Sequence, residues 1–305
     1  MTLILFFEQL LNGLQFGIML FLMSAGLTLI FGVMGLINLA HGSFYMIGAF
    51  CAALIAGLTG SFWLALLGSL IGAAIAGVLI EIIIIRRLYR RDHLDQVLAT
   101  FALILLLSEA VRWIFGAFPL YLNIPNILNG SIPLFFEIIY SKYRLFIILI
   151  GFLVAVGLYF LITKTRLGIR IRAGQNDRQM ISALGIDISK LYTIVFAIGA
   201  GLAGLAGAMI GAIQSVEVGM GEPILILAFV VIVIGGIGSI KGAFIGSLLV
   251  GVTDTLGRVF LPNFLKIFME PANATSMGSS IGSMLIYILM ALILIMKPSG
   301  LFGKN

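Results

Sequence analysis

Two short polar interruptions within long apolar stretches are the first places where this chain could do chemistry. One spans residues 35–42 and carries Asn38 and His41, and the other spans residues 236–242 and carries Ser239. Polar groups at membrane depth are costly and usually face a cavity or a partner, and an unwound backbone offers further polar groups to a solute. Paired glycine-rich interruptions in the two halves of a chain therefore indicate a transport site.

The candidate residues of this site all lie inside or beside one of the two interruptions. They are Asn38, His41, Gly42, Ser43, Gly236, Gly238 and Ser239. We predict that they line the solute pathway or its gate. One alternative stays open for the first interruption, which would then be a turn at the cytoplasmic interface, with His41 in contact with lipid headgroups.

No constellation of residues in the sequence indicates catalysis or metal binding. His41 and His93 have no metal-ligand partners at a suitable spacing, and the single cysteine, Cys51, has no second cysteine to pair with. The phosphate-binding pattern G-x-x-x-x-G-K-S/T is also absent. We therefore expect no catalytic residue, no metal and no cofactor, and any ATP-driven work must come from another subunit.

The composition predicts that membrane-spanning helices position these residues. Of the 305 residues, 61% are hydrophobic and 10% are charged, whereas soluble domains carry about 25% charged residues. Lipid must solvate much of the surface, and each helical crossing needs about 20 apolar residues. Apolar stretches lie at residues 10–33, 43–59, 62–85, 97–117, 143–163, 191–213, 222–238, 242–260 and 281–296. We predict an all-α, polytopic membrane protein with eight to ten transmembrane segments, some interrupted by glycine, forming a single transmembrane domain over residues 1–305.

Basic residues set the expected orientation in the membrane. Four arginines lie within residues 86–91, and six basic side chains lie within residues 164–190, so the positive-inside rule places both segments in the cytoplasm. Lys297 and Lys304 place the C-terminus on the same side. Counting back three crossings from Arg86 places the N-terminus outside. The membrane face thereby accounts for the net charge of +6, and no nucleic-acid partner is expected.

Small residues and charged pairs predict how the helices are held together. Glycines recur at residues 68–77 and again at residues 199–211, which favours close helix packing within the chain, with a subunit interface as the alternative. Glu109 with Arg112, and Asp254 with Arg258, stand at helical spacing. We predict structural ion pairs, with a substrate contact as the alternative.

The loop over residues 164–190 is long for a connection between membrane-spanning helices. Asn176 or Asp177 can cap a short helix, and Gly185 can end it in a left-handed turn. Met180, Ile181 and Leu184 are predicted to share one face of that helix. The pattern indicates a short amphipathic helix on the cytoplasmic face, and an anchor that merely binds lipid is the alternative.

These segments together resemble a known family. Residues 165–187, with their pattern of basic residues, Arg-Ala and then Ser-Ala-Leu-Gly-Ile, are similar to the cytoplasmic coupling loop of permeases from high-affinity branched-chain amino acid ABC importers. Residues 11–15 and 26–49 resemble the opening of that family, residues 235–243 its third motif, and residues 297–303 its fourth. The resemblance covers essentially the whole chain and is nearest to the LivH-like subunit. Ser182-Ala183 stands where other ABC importers carry a Glu-Ala-Ala core.

The resemblance implies a division of labour among several subunits. A second, LivM-like permease subunit would complete the pathway, and two ATP-binding subunits would bind the coupling helices. An extracytoplasmic solute-binding protein would deliver the solute. The coupling residues implied by the family are Asn176, Asp177, Met180, Ile181, Ala183, Leu184 and Gly185. The expected location is the bacterial inner membrane, with lipid around a multi-pass protein whose C-terminus is cytoplasmic.

The substrate and some rival functions stay open. The family transports branched-chain or other amino acids, urea or short amides. An ion-coupled secondary transporter is a rival from another class, although Glu109 beside Arg112 is a poor proton carrier. An intramembrane enzyme, a channel and a non-transport scaffold are further rivals.

Overall fold

A computed structural model describes residues 2–89, 91–134 and 138–303 of the chain. The α-helices of these ranges are α1 (Thr2–Met34), α2 (His41–Thr59), α3 (Phe62–Ile80), α4 (Arg86–Leu88), α5 (His93–Phe115), α6 (Lys142–Lys164), α7 (Arg166–Asn176), α8 (Arg178–Ala183), α9 (Ile188–Gly211), α10 (Gly221–Gly235), α11 (Ile240–Leu265) and α12 (Pro271–Met296). A π-helical turn, Glu81–Ile85, joins α3 to α4. Strands β1 (Ser131–Pro133) and β2 (Ile139–Ser141) form one small antiparallel pair, with Ile132 opposite Tyr140.

The apolar stretches become helices because a helix satisfies every backbone polar group within its own segment, as a bilayer requires. Eight helical segments of the described ranges are long and apolar enough to cross a membrane, while α10 has only 15 residues. The prediction of an all-α protein with eight to ten transmembrane segments is confirmed. The short α10 matches the shorter apolar stretch seen in the sequence.

The chain folds into two compact units that are each built from separate stretches. Unit 1 contains Met1–Phe21, Asn126–Phe152 and Phe229–Asn305, and unit 2 contains Leu22–Pro125 and Leu153–Ala228. Three helices, α1, α6 and α10, therefore begin in one unit and end in the other. Neither unit corresponds to a continuous domain of the sequence.

Unit 2 has a core of α2, α3 and α9 packed through small residues. A Cβ added to Gly48 would fall on the backbone of Gly204, and one added to Gly207 would fall on the carbonyl of Tyr45. A Cβ at Gly77 would lie 2.5 Å from the Ala200 side chain. The prediction that these glycines permit close packing within the chain is confirmed, since backbones approach this closely only where a side chain is absent.

The α2–α3 hairpin shows how local sequence positions these helices. Gly60 adopts a left-handed conformation with φ of 66° and donates its N–H to the Ala56 carbonyl, which ends α2. The Ser61 hydroxyl then accepts from the Leu64 N–H at 3.4 Å and caps α3. Because only two residues separate the helices, α2 and α3 must run antiparallel and pack side by side.

Unit 1 is built around α11 and α12. A Cβ at Gly257 would lie 3.3 Å from the Gly282 carbonyl oxygen, and one at Gly278 would lie 2.5 Å from the Pro262 Cα. The C-terminal segment returns to α10 here, where the Phe302 N–H donates to the Gly235 carbonyl at 2.9 Å. These glycines therefore allow α11 and α12 to pack closely against each other within unit 1.

Candidate functional site

The first interruption lies between α1 and α2 in unit 2. Gly35 follows the end of α1 with φ of 61° and donates to the Phe31 carbonyl at 2.8 Å. Asn38 and His41 are both fully buried. Among the described residues, neither atom of the Asn38 amide has a hydrogen-bond partner, and the ring nitrogens of His41 make no hydrogen bond of normal geometry, although the ring interacts with the Met23 backbone. Buried polar groups are normally satisfied, so these side chains are the strongest candidates for contact with water or solute.

Gly42 and Ser43 form the first turn of α2 next to these side chains. A Cβ added to Gly42 would lie 2.6 Å from the carbonyl oxygen of Gly221, the first residue of α10. Ser43 is buried, and its N–H donates to the Ala40 carbonyl at 3.0 Å. The N-terminal ends of two helices therefore meet beside Asn38 and His41. The four predicted residues of the first interruption lie together.

The second interruption lies between α10 and α11 in unit 1 and repeats part of this geometry. Gly236 follows α10 with φ of 98° and donates to the Ile232 carbonyl at 2.9 Å, and Gly238 has φ of 79°. Ser239 caps α11 by accepting from the Gly242 N–H at 3.1 Å. Its side chain is thus satisfied within the described structure. The first interruption carries unsatisfied buried side chains, whereas the second is a capped turn.

The coupling segment, defined as residues 164–190, contains two helices rather than one. Thr165 caps α7 by accepting from the Gly168 N–H at 3.1 Å, and the helix runs to Asn176. Asp177 then accepts from the Met180 N–H at 2.9 Å and caps α8. Asn176 therefore ends α7 and does not begin the next helix. Of the two caps considered from the sequence, Asp177 is the right one, because Asn176 is already the last residue of α7.

Gly185 closes α8 as predicted. Its φ is 79°, and its N–H donates to the Ser182 carbonyl at 3.0 Å. Asp187 next caps α9 through the Lys190 N–H at 3.2 Å. This backbone hydrogen bond, together with the Lys190 ammonium, holds the pKa of the Asp187 carboxyl below its usual value. The segment is thus a chain reversal with a cap at both ends.

The exposed side chains of α8 differ from the predicted face. Ile181 is buried, whereas Met180, Ala183 and Leu184 are exposed. The prediction that Ile181 shares one face with Met180 and Leu184 is wrong, because Ile181 turns toward Gly174 of α7. Met180 at 59% and Leu184 at 72% exposure remain as an apolar surface with no cover in the described chain.

Sequence analysis missed a buried polar cluster at the end of α3. Glu81 is fully buried, and its carboxylate accepts from Arg86 Nε at 3.1 Å and from Arg86 Nη2 at 3.0 Å. Tyr89 donates to the same carboxylate at 2.6 Å, and Thr193 of α9 donates to it at 2.7 Å. Burial, and then the hydrogen bond to Glu81, raise the pKa of the Tyr89 phenol. The phenol therefore stays protonated and remains a donor.

The spacing of this cluster explains why it was missed. Glu81 and Arg86 stand five residues apart, whereas an ordinary α-helix pairs residues three or four apart. The π-helical turn Glu81–Ile85 brings the fifth residue onto the same face. An acidic residue inside an apolar run, followed by arginine five positions later, is the signal that could have found it.

The two predicted ion pairs at ordinary helical spacing are confirmed. Arg112 Nη1 lies 2.5 Å from Glu109 Oε1, with both side chains exposed. Arg258 Nε lies 2.9 Å from both oxygens of Asp254. Within residues 2–89, 91–134 and 138–303, no group of three histidine, cysteine, aspartate or glutamate side chains could hold a metal ion.

The apolar helices and the interruptions between them define a multi-pass α-helical membrane protein. The chain belongs to the family of branched-chain amino acid transport system permease components, whose family model matches residues 9–294. Members of this family are membrane subunits of ABC transporters, so the chain is a transport component and not an enzyme, and other ABC subunits accompany it. An ion-coupled secondary transporter is not favoured.

Curated relatives extend along nearly the whole chain. It is 31% identical to the high-affinity branched-chain amino acid transport system permease protein BraD of Pseudomonas aeruginosa, over 98% of this chain and 96% of the relative. It is 28% identical to the protein LivH of Escherichia coli K12, with the same coverage. A probable LivH of Methanocaldococcus jannaschii is 28% identical over 94% of this chain and 89% of the relative. No solved structure gives a significant match.

Proposed function

We propose that this chain is the permease subunit that carries amino acids, and branched-chain amino acids first among them, through an ATP-driven importer. The relatives are named as permeases for branched-chain amino acids, which supports this substrate over urea or short amides. A second, LivM-like permease subunit completes the pathway. Two ATP-binding subunits and an extracytoplasmic solute-binding protein complete the importer.

The coupling segment is the observation that carries this proposal. Met180 and Leu184 expose apolar surface on a helix that Asp177 caps and Gly185 ends. Arginine side chains are exposed on the neighbouring α7, at Arg170 and Arg172. An exposed apolar patch with a polar rim is typical of a protein interface. A docked ATP-binding subunit would cover it and pull on α9 through the short connection after Gly185.

The interruption at Asn38 and His41 is the part of the pathway that we assign to solute contact or gating. Burial of the Asn38 amide and the His41 ring without hydrogen bonds of normal geometry is costly, and the cost is recovered when water or a solute satisfies them. Gly42 and Ser43 belong to the same turn. We assign Gly236, Gly238 and Ser239 to a hinge or gate in unit 1, because their left-handed glycines permit a chain reversal.

The proposed orientation follows from the basic segments. With the coupling segment in the cytoplasm, the C-terminus lies on the same side only if α10 also carries the chain across, because α9, α11 and α12 alone make three crossings. The five apolar helical segments before the coupling segment place the N-terminus outside. The 15 residues of α10 span about 22 Å, which is short for the bilayer core. The glycine turns on either side of α10 must therefore dip into the membrane. We place the protein in the plasma membrane, the inner membrane of a bacterial cell.

A pair of glycine variants tests the coupling role. Gly185 and Gly130 both have φ near +80°, at 79° and 86°, and an added Cβ would contact nothing within 4 Å at either position. Valine costs about 1–2 kcal/mol of backbone strain at each. In proteoliposomes that contain the complete importer, we expect Gly185→Val to hydrolyse ATP without accumulating substrate. Gly130→Val should keep both activities.

A charge on the docking surface gives a second test without backbone strain. Ala183→Asp introduces a carboxylate on an exposed helical position, so membrane insertion should be unaffected while docking of the ATP-binding subunit weakens. ATP hydrolysis and uptake are measured on the same preparations. Uptake at the wild-type rate in both Gly185→Val and Ala183→Asp would refute the coupling assignment.

A further inference from the structure

The π-helical turn Glu81–Ile85 aligns two charged side chains that an α-helix would keep apart. In an α-helix Glu81 would face Ile84 and Ile85, which offer its carboxylate no hydrogen bond. The π turn instead places the guanidinium of Arg86 against that carboxylate, at 3.0 Å. Single π turns of this kind are rare and frequently lie at functional sites. The turn therefore indicates that the contact between Glu81 and Arg86 does more than fill space.

The second turn of α9 completes the contacts of this carboxylate. The Thr193 hydroxyl donates to Glu81 at 2.7 Å and accepts from Arg86 at 2.9 Å. Tyr89 donates to the same carboxylate and packs its ring edge-to-face against Tyr192, with the ring centroids 4.9 Å apart. Because Glu81 is fully buried, separating it from these donors would leave a buried charge unpaired, which is costly. The end of α3 and the start of α9 are therefore held in one register.

The start of α9 is also the direct continuation of α8. Only Ile186 and Asp187 lie between Gly185, which closes α8, and the first residue of α9. The Ile186 N–H donates to the Ile181 carbonyl of α8 at 3.3 Å, and Asp187 caps α9. The Asp187 carboxylate also attracts the Arg86 guanidinium. Because the connection is hydrogen-bonded at both ends, a displacement of α8 is passed to α9.

The small residues between α3 and α9 fix the distance between these helices but not their register. The backbone of Gly77 lies against the Ala200 side chain, and Gly204 lies against the Ala73 side chain. Helices packed through apolar contacts can slide past one another by small amounts. Hydrogen bonds weaken steeply when their geometry is lost, so they resist such sliding. The polar contacts at Glu81 are therefore the ones that make α3 follow α9.

We propose that Glu81, Arg86, Tyr89 and Thr193, here called the Glu81 cluster, are positioning residues that make α3 follow α9 when an ATP-binding subunit moves the coupling segment. This inference rests on the proposed function and deepens it, because it names the contact through which movement of the coupling segment reaches the helix core of unit 2. Without the Thr193 hydroxyl, α9 moves and α3 lags behind it, so each ATP hydrolysed carries less solute.

The test measures the solute molecules taken up per ATP hydrolysed. It uses proteoliposomes that contain the complete importer, with ATP inside and binding protein loaded with radiolabelled L-leucine outside. Thr193→Val removes the hydroxyl and keeps the shape, and we expect the ratio to fall about fivefold, within the range over which single substitutions change the coupling between two sites. Thr193→Ser keeps the hydroxyl and should stay within about twofold of wild type.

Thr100→Val is the matched control. Thr100 is buried on α5, and its hydroxyl donates to the Gln96 carbonyl of its own helix at 2.8 Å. Its ratio should equal that of wild type. Tyr89→Phe is a second variant of the cluster, which removes the donor to Glu81 and keeps the ring against Tyr192. It should lower the ratio as well, and it decides the question if the Thr193→Val complex does not assemble.

The ratio separates a positioning role from a merely structural one. A structural role would lower uptake and ATP hydrolysis together, and an unchanged ratio in Thr193→Val and Tyr89→Phe would overturn the inference. A ratio that falls equally in Thr193→Ser or Thr100→Val would also overturn it, because the Thr193 hydroxyl would then not be the cause. Absence of ATP-dependent uptake by the wild-type importer would refute the proposed function itself, whereas coupled wild-type uptake with an unchanged ratio in the variants removes only this inference.

Discussion

Replacing Thr193 by valine isolates the contact that joins α9 to the buried ion pair at the end of α3. The Thr193 hydroxyl donates to Glu81 Oε2 at 2.7 Å and accepts from Arg86 Nη2 at 2.9 Å. Valine keeps the shape of threonine and loses the hydroxyl. Both hydrogen bonds therefore disappear while the packing of α9 against α3 is retained.

The expected loss follows from the burial of the two partners. A hydrogen bond to a charged group contributes about 1.5–3 kcal/mol. Glu81 is fully buried, so we assign its bond about 2 kcal/mol, near the middle of that range. The Arg86 side chain is 38% exposed and regains water, so its bond contributes about 0.5–1 kcal/mol. We expect Thr193→Val to lower the free energy of unfolding by about 2–3 kcal/mol.

The assay is unfolding in mild detergent titrated with sodium dodecyl sulfate and followed by tryptophan fluorescence. Thr163→Val is the control, because the Thr163 hydroxyl donates only to the Tyr159 carbonyl of its own helix, at 2.6 Å. It should change the free energy by less than about 0.5 kcal/mol. Combining Thr193→Val with Glu81→Gln should give a non-additive loss, with a coupling of about 1–2 kcal/mol. Equal effects of the two valine variants, or additive effects in the double variant, would refute the reasoning.

Two further predictions concern helix packing and a helix cap. Gly48→Ala places a Cβ on the Gly204 backbone and should lower the free energy of unfolding by about 1–3 kcal/mol. Gly57→Ala is the control, because its added Cβ lies in open space, and it should raise the free energy of unfolding by about 0.5–1 kcal/mol. Similar effects of the two variants in the same unfolding assay would contradict this prediction. The Asp187 carboxyl should titrate, by ¹³C NMR, below the ordinary value of about 3.9. Its contribution to stability is therefore present above that pH and lost as the pH falls through the lower folded pKa. Lys190→Ala should keep most of the shift, because the backbone N–H is its main cause, and an ordinary titration midpoint would show that the cap does not form.

Local patterns predicted the elements of the fold and some of the side-chain pairs. The apolar stretches and glycine breaks predicted the membrane helices, because a bilayer leaves a segment of that length and composition no other structure. The left-handed turn at Gly185 and the pairs Glu109–Arg112 and Asp254–Arg258 followed equally from local rules. In each case the partners stand within one turn of the same helix, where sequence spacing fixes the geometry.

The remaining contacts of the site could not be predicted, because they depend on which helix faces pack against each other. Glu81 and Arg86 pair only because a π-helical turn realigns them, and Thr193 reaches them from a helix more than a hundred residues away. Ile181 is buried against α7, which the apolar pattern did not reveal. The burial of Asn38 and His41 without hydrogen bonds of normal geometry also arises from packing. The sequence by itself determined where the membrane helices lie and where they break, since those features depend on neighbours along the chain. Tertiary structure alone decided which buried polar groups are hydrogen-bonded and which are not, since that depends on neighbours in space.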